Sequence, residues 1–395
     1  MKKCLIALFI VLIAVGCKKP FIPQEIKSDT NRYLVIEGVI NSGSDSTIIK
    51  ISRTQKIDTV HNIILETNAT VNVESDANSN FKLTEITAGT YAAPPINLDG
   101  AHKYRLRIIT SDHKEYVSDF VPIKNAPPID SVGFVAQSAG VQIYVNTHDA
   151  TNATRYYHWD FFETWQFHSK YVSTYKSNKV DSLKPRKVSE QVYDCFGNDV
   201  SSNVTIVSTT KLVQDNVYQT PITLIPSTSE KIETKYSILV KQYALTSDAY
   251  TFWENLKNNT EKLGSIFDVL PSENMSNFHC ITNPTELVIG YLSVGSYTSK
   301  RIFITASQLL KSYSPVYPCD CQVDTAFLDP FAFPPHPGTR PISDLIPANS
   351  PYIPLLALYI PPANPFGLPT AFSYSTILCV DCTVRGTKTQ PAFWK

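Results

Sequence analysis

The 395-residue chain lacks every short motif that would announce an enzyme. It has no GxSxG elbow, no HExxH, no P-loop and no GxGxxG. Strained-turn serine chemistry, helix-borne zinc proteolysis and glycine-cradled phosphate sites therefore have no carrier. Glycine is scarce, at 14, and methionine nearly absent, at 2. Excess charge is missing as well: 35 Lys and Arg face 35 Asp and Glu, with no basic stripe between aromatics, so nothing argues for nucleic acid. The eight histidines are scattered. His158 and His168 fall on one long aromatic segment and His279 precedes Cys280, and they read as surface or structural residues rather than bases. Asp160 and Glu163 do not define a glycosidase, because carboxylate separation cannot be read from sequence. No residue is assigned a catalytic role, no cofactor is implied, and the expectation is a protein that is not an enzyme.

No long apolar run follows the N-terminus, and the one at the N-terminus is short. Lys2-Lys3, an apolar stretch from Leu5 to Val15, and Ala14-Val15-Gly16-Cys17 have the basic start, short core and small residues of an export signal. The stretch is too short to span ~30 Å of hydrocarbon comfortably. A Cys directly after Gly16 adds acylation, so residues 1–16 read as a lipoprotein signal peptide and Cys17 as the lipid-bearing first residue. The expected partner is a membrane, through the lipid. Removing Lys2 and Lys3 with the leader leaves 33 basic against 35 acidic side chains.

What is abundant is aromatic and β-forming: 21 Tyr, 19 Phe and many Thr, Val and Ile. After a polar tether (17–30), residues 31–123 show period-2 alternation broken by Asn/Gly/Asp turns. Val71 and Val73 alternate with polar neighbours, and Tyr104, Leu106 and Ile108 oppose Arg105 and Arg107. About seven short strands predict an immunoglobulin-like or transthyretin-like β-sandwich. Ala126-Pro-Pro-Ile-Asp130 reads as a linker. Residues 124–395 read as a larger β-rich domain. In it Tyr157, Trp159, Phe161, Trp165 and Phe167 share one face of a strand, serving either as a stacking platform or as core. One helix is expected over 246–263, capped by Thr246 or Ser247, with Ala249, Phe252, Trp253 and Leu256 as its apolar stripe and Gly264 as its stop. From 315 to 369 the chain holds 14 of its 27 prolines, which predicts a long, extended, loop-like insertion.

With Cys4 in the leader and Cys17 at the anchor, Cys195, Cys280, Cys319, Cys321, Cys379 and Cys382 remain. Cys319-Asp-Cys321 and Cys379-Val-Asp-Cys382 bracket the proline-rich segment. Four thiolates could hold zinc, remain free, or form two crosslinks closing the segment, with Cys195–Cys280 as a third. Closing ~60 residues stabilises by about 4 kcal/mol. Outside the cytoplasm oxidation competes with zinc, so disulfides are the expectation and no metal site is assigned.

Several stretches carry a resemblance. They include Tyr33-Leu-Val-Ile-Glu-Gly-Val-Ile-Asn41, Tyr156-Tyr-His-Trp-Asp160 with Glu163-Thr-Trp165, and Tyr236 through Thr246. Phe252-Trp-Glu-Asn-Leu256, Ser265-Ile-Phe-Asp268, His279-Cys-Ile-Thr-Asn-Pro284, Gly290-Tyr291 and Lys300-Arg-Ile-Phe-Ile304 follow in order. Cys379-Val-Asp-Cys382, Arg385-Gly386 and Phe393-Trp394 close the series. In these the chain resembles the Bacteroidota envelope lipoproteins grouped as domain of unknown function 4249. The resemblance implies an outer-membrane lipoprotein encoded beside a TonB-dependent receptor, hence a non-enzymatic binding or lid accessory in uptake. An envelope hydrolase and an adhesin or structural protein are the alternative expectations. Surface-exported lipoproteins of this phylum often carry acidic residues after the acylated Cys, whereas Lys18-Lys19-Pro20 follows here. Asp-Ser/Thr triplets place candidate O-glycosylation acceptors, similar to those of exported proteins in the same phylum, at Ser46, Thr59, Ser131, Ser182 and Thr325. The same dipeptides also favour turns and strand starts.

The anchor makes a direct prediction. Cys17→Ala should abolish metabolic acyl labelling and release the protein from the membrane fraction. Membrane retention of the variant, with no acyl label on the wild type, would overturn the lipoprotein reading.

Overall fold

A computed structural model describes residues 32–55, 63–261, 276–317, 319–327, 340–359 and 369–394. The leader, Cys17, the tether and Thr59 lie outside the described residues. Among the described residues, strand accounts for 48% and helix for 11%, so the protein is mainly β. The chain forms two compact units. One holds the described residues up to Ile123 together with those of Met275–Val294, and the other holds Lys124–Asn274 and Gly295–Lys395.

In the first unit, strand-forming residues with every second side chain apolar bury one face. Leu34 and Ile36 of Leu34–Asn41 meet Ile49 and Ile51 of Thr47–Arg53 in one core, and Val71, Val73, Leu106 and Ile108 join them from other strands. Arg105 and Arg107 point away, as alternation requires, and reach Glu74 on the neighbouring strand at 2.8 and 3.5 Å. The strand Asn80–Thr87 belongs to both layers. Its first half pairs with Thr70–Ser75 and its second half with Thr90–Ala93, so a single sheet folds over its own core.

Phe278–Cys280 pairs antiparallel with Glu115–Ser118, and Val288–Ile289 pairs parallel with Leu34 and Val35. These are the two ends of the sheet path, and residues 281–287 join them, leaving a near-barrel. A contiguous second domain over 124–395 is therefore corrected: Met275–Val294 completes the first unit. Gly290 permits the return. Its φ is +134°, and a Cβ there would lie 2.2 Å from the Ile36 carbonyl oxygen.

In the second unit, a three-stranded sheet (Ile129–Gln137, Gly140–His148, Asn216–Pro226) and a five-stranded sheet enclose a common core. The five-stranded sheet runs Asp194–Val200, Tyr156–His168, Lys235–Ala244, Tyr297–Thr305, with Thr205–Ser208 also paired to Tyr156–His168. The aromatic row is core: Tyr157 and Trp159 are 0% exposed and Trp165 is 9%. The helix, Ser247–Glu261, covers the other face at His158, which stacks on Trp253 at 4.4 Å. Thr246 caps it by accepting the Ala249 N–H at 3.2 Å, and Ala249 and Phe252 are buried. Its expected end near Leu263 and Gly264 lies outside the described residues.

Between the two sheets of this unit stands a buried polar bridge. Gln242 accepts from Trp159 Nε1 at 2.9 Å and donates to Thr147 Oγ1 at 3.0 Å and to the Pro127 carbonyl at 2.9 Å. Glu163, on the same inward face, is met by Tyr236 Oη at 2.6 Å and Lys231 Nζ at 2.5 Å. Burial, first, and then Glu163 push the Tyr236 hydroxyl well above its ordinary pKa, so it stays a donor.

The proline-rich segment departs from expectation. Asp324–Phe327, Arg340–Pro341 and Tyr352–Leu358 build a four-stranded sheet with Ala371–Thr376, around Ala326, Leu345, Phe372 and Tyr374. The prolines fit because of where they fall. Pro341 and Pro354 lie on the two edge strands, and the register shifts between Pro354 and Ala357. An edge strand with a bulge tolerates a missing N–H. The Leu355 carbonyl accepts from Thr174 N–H at 2.8 Å, tying this edge to its own unit.

Gln242→Leu should orphan the Trp159 N–H and cost about 1–3 kcal/mol, read by urea unfolding. Trp159→Phe should cost less when added to that variant than in the wild type. A loss under about 0.5 kcal/mol would show that the bridge does not hold the sheets.

Candidate functional site

The cysteines sort differently from their spacing. Cys195, on Asp194–Val200, is bonded to Cys382, and Cys321 to Cys379. The expected Cys195–Cys280 pair is not formed. Cys280 is a buried free thiol on a strand of the first unit, 3.4 Å from Thr282 Oγ1, whereas Cys195 belongs to the second. One bridge rather than two closes the proline-rich segment, because Cys382 is taken by Cys195. Cys319 is free and half-exposed. Its Sγ lies 2.7 Å from that of Cys379 and 3.4 Å from that of Cys321.

These three sulfurs lie within 4.8 Å of one another. A zinc site needs separate thiolates, and two of the three are bonded together, so the four-thiolate arrangement does not form. Tyr171 frames the cluster: its hydroxyl donates to the Cys321 carbonyl at 2.7 Å and its N–H to the Cys379 carbonyl at 3.1 Å. Leu355, Val380 and Ile353 pack around it, and Thr376 Oγ1 donates to Cys379 Sγ at 3.2 Å. Thiol chemistry is what this arrangement can do.

The other sequence candidates are structural. Burial pushes the His158 imidazole below its ordinary pKa, against the pull of Asp160 at 3.4 Å. His168 stacks on Tyr193, and its Nε2 is 3.2 Å from Glu233, which also accepts from Tyr317 Oη at 2.6 Å. His279 meets Asp119 on the surface of the first unit at 3.0 Å. Asp160 and Glu163 do not form an acid pair: Asp160 faces His158, while Glu163 is held in the core. Of the acceptor candidates, Ser46 and Ser182 are exposed in loops that lead into strands. Ser131 and Thr325 are half-buried on strands, and Ser131 Oγ accepts from Asn146 at 2.8 Å. Sequence reasoning missed Glu233, Tyr317 and Lys231, whose partners lie tens of residues away with no local signature.

The first unit carries an open polar groove of about 680 Å³, lined by Arg53, Glu66, Asp112, Lys114 and Glu286 among others. Its charges pair internally: Arg53 Nε with Glu66 at 2.5 Å, and Lys114 Nζ with Glu286 at 2.6 Å. Tyr116 Oη donates to Glu286 at 2.6 Å. Partial burial pushes the Glu286 carboxyl up, but Lys114 and Tyr116 outweigh it and hold its pKa below the ordinary range. Glu286 thereby fastens the returning segment to the strands of its own unit.

Fold and cluster together define a mainly β protein of two units whose second unit is crosslinked by disulfides. Residues 18–301 match the family described as domain of unknown function (DUF4249), and the chain belongs to that family. The matched stretch begins directly after Cys17 and ends before the thiol cluster. No curated protein matches the chain.

A depressed folded pKa places the Glu286 contribution above the unfolded glutamate value of about 4.3. It is lost as pH falls through the lower folded value. The stability gap between wild type and Glu286→Gln should therefore shrink as pH drops below that value in thermal unfolding. A gap that holds constant to about pH 2 would remove Glu286 as the fastening charge.

Proposed function

We propose that this protein is a lipid-anchored accessory of a TonB-dependent outer-membrane receptor, binding or covering rather than catalysing. The observation that carries this reading is the junction at Cys17. Residues 1–16 read as an export leader, and the family match starts at residue 18, one residue after the Cys17 that would begin an acylated mature chain. Among the described residues no helix is long and apolar enough to cross a membrane. Family membership supports the receptor, since these lipoproteins are typically encoded beside one. His158, His168, Asp160 and Glu163 are engaged in packing and ion pairs, which favours binding over turnover. Surface loops on a rigid β scaffold supply docking edges.

The test is recovery from detergent-solubilised membranes after brief crosslinking, with receptors identified by mass spectrometry. A TonB-dependent receptor should be enriched with the wild type, and Cys17→Ala should lose it. Equal recovery of receptors with an unrelated lipoprotein, or turnover of an envelope polymer by the purified protein, would overturn the proposal.

A further inference from the structure

Three sulfurs meet at one edge of the small C-terminal sheet, and only two of them share a bond. Cys379 has no exposed surface, while Cys321 and Cys319 are half-exposed. The free sulfur of Cys319 is closer to Cys379, at 2.7 Å, than to Cys321, at 3.4 Å. We propose that these residues form a thiol–disulfide exchange centre. In it the buried Cys379 sulfur alternates between Cys321 and Cys319, and the displaced thiol faces solvent, where it takes a low-molecular-weight disulfide.

The step is balanced within the protein. Cys319 gives up its proton and its thiolate attacks Cys379 Sγ. The Cys319–Cys379 bond forms as the Cys321–Cys379 bond breaks, and Cys321 leaves as a thiolate that takes up the proton. One disulfide and one thiol exist before and after, so no oxidant or reductant is consumed. In the second step the exposed thiolate attacks a small disulfide. One S–S bond of that compound breaks, a mixed disulfide forms on the protein, and one small thiol leaves.

Loop closure does not choose between the two pairings. Its entropy varies with the logarithm of length, and the separations are 58 residues for Cys321–Cys379 and 60 for Cys319–Cys379. Thr376 holds the Cys379 sulfur at 3.2 Å. Cys382 cannot intrude, since Cys195 occupies it. The centre lies beyond the family-matched stretch, and the proposal stands whether or not the protein serves a receptor.

The experiment is disulfide mapping of the full chain, purified without reductant, acid-quenched, denatured and alkylated. Cys379 should be found crosslinked to both Cys321 and Cys319. The alkyl label should divide between the two partners with a minor share of roughly one part in ten or more, a gap within about 1.4 kcal/mol. Native protein incubated with oxidised glutathione should carry the adduct on Cys319 or Cys321 and not on Cys379. Cys321→Ser should yield a Cys319–Cys379 bond. Label on Cys319 alone, with Cys321–Cys379 the sole pairing, would overturn the proposal. So would a folded Cys321→Ser protein in which Cys319 and Cys379 are both free. Should that variant fail to fold, the wild-type map decides.

Discussion

The second unit depends on how the inward face of the strand Tyr156–His168 is buried. Its inward row is mostly aromatic, yet it carries an indole N–H at Trp159 and a carboxylate at Glu163, whose burial is costly without a partner. Gln242 satisfies the indole and spans to Thr147 and Pro127. Lys231 and Tyr236 satisfy the carboxylate. Hydrophobic burial pulls the two sheets together without fixing their register, whereas a fully paired amide between them permits one arrangement. The helix then covers the opposite face at His158 by stacking Trp253 on it.

The crosslinks serve a different need. The small sheet has a core of few residues, and prolines occupy its edges. A layer that thin buries little apolar surface, so covalent closure matters more to it than to the large sheets. Cys195–Cys382 ties the C-terminal segment to the five-stranded sheet, and Cys321–Cys379 closes the insertion. Crowding a third sulfur against the second bridge is the feature that such closure does not require, and it is where the unit acquires chemistry.

Alternation at Leu34–Asn41, Thr47–Arg53, Thr70–Ser75 and Lys103–Ile109 was legible because strand periodicity is a local property, and so was the capped helix after Thr246. The family membership was legible for the same reason, being carried by contiguous strings. The proline-rich segment was misread, because proline excludes helix locally while its tolerance in a strand depends on whether that strand lies at an edge.

Sequence by itself determined the mainly β class, the alternation of inward and outward faces, and the family. Tertiary structure decided which cysteines meet, that residues 275–294 return to the first unit, and that the aromatic row is core. The physical reason is range. Periodicity and caps act over a few residues, whereas disulfide partners 187 residues apart, the Lys114–Glu286 pair and the Trp159–Gln242 bridge exist only after distant strands pack.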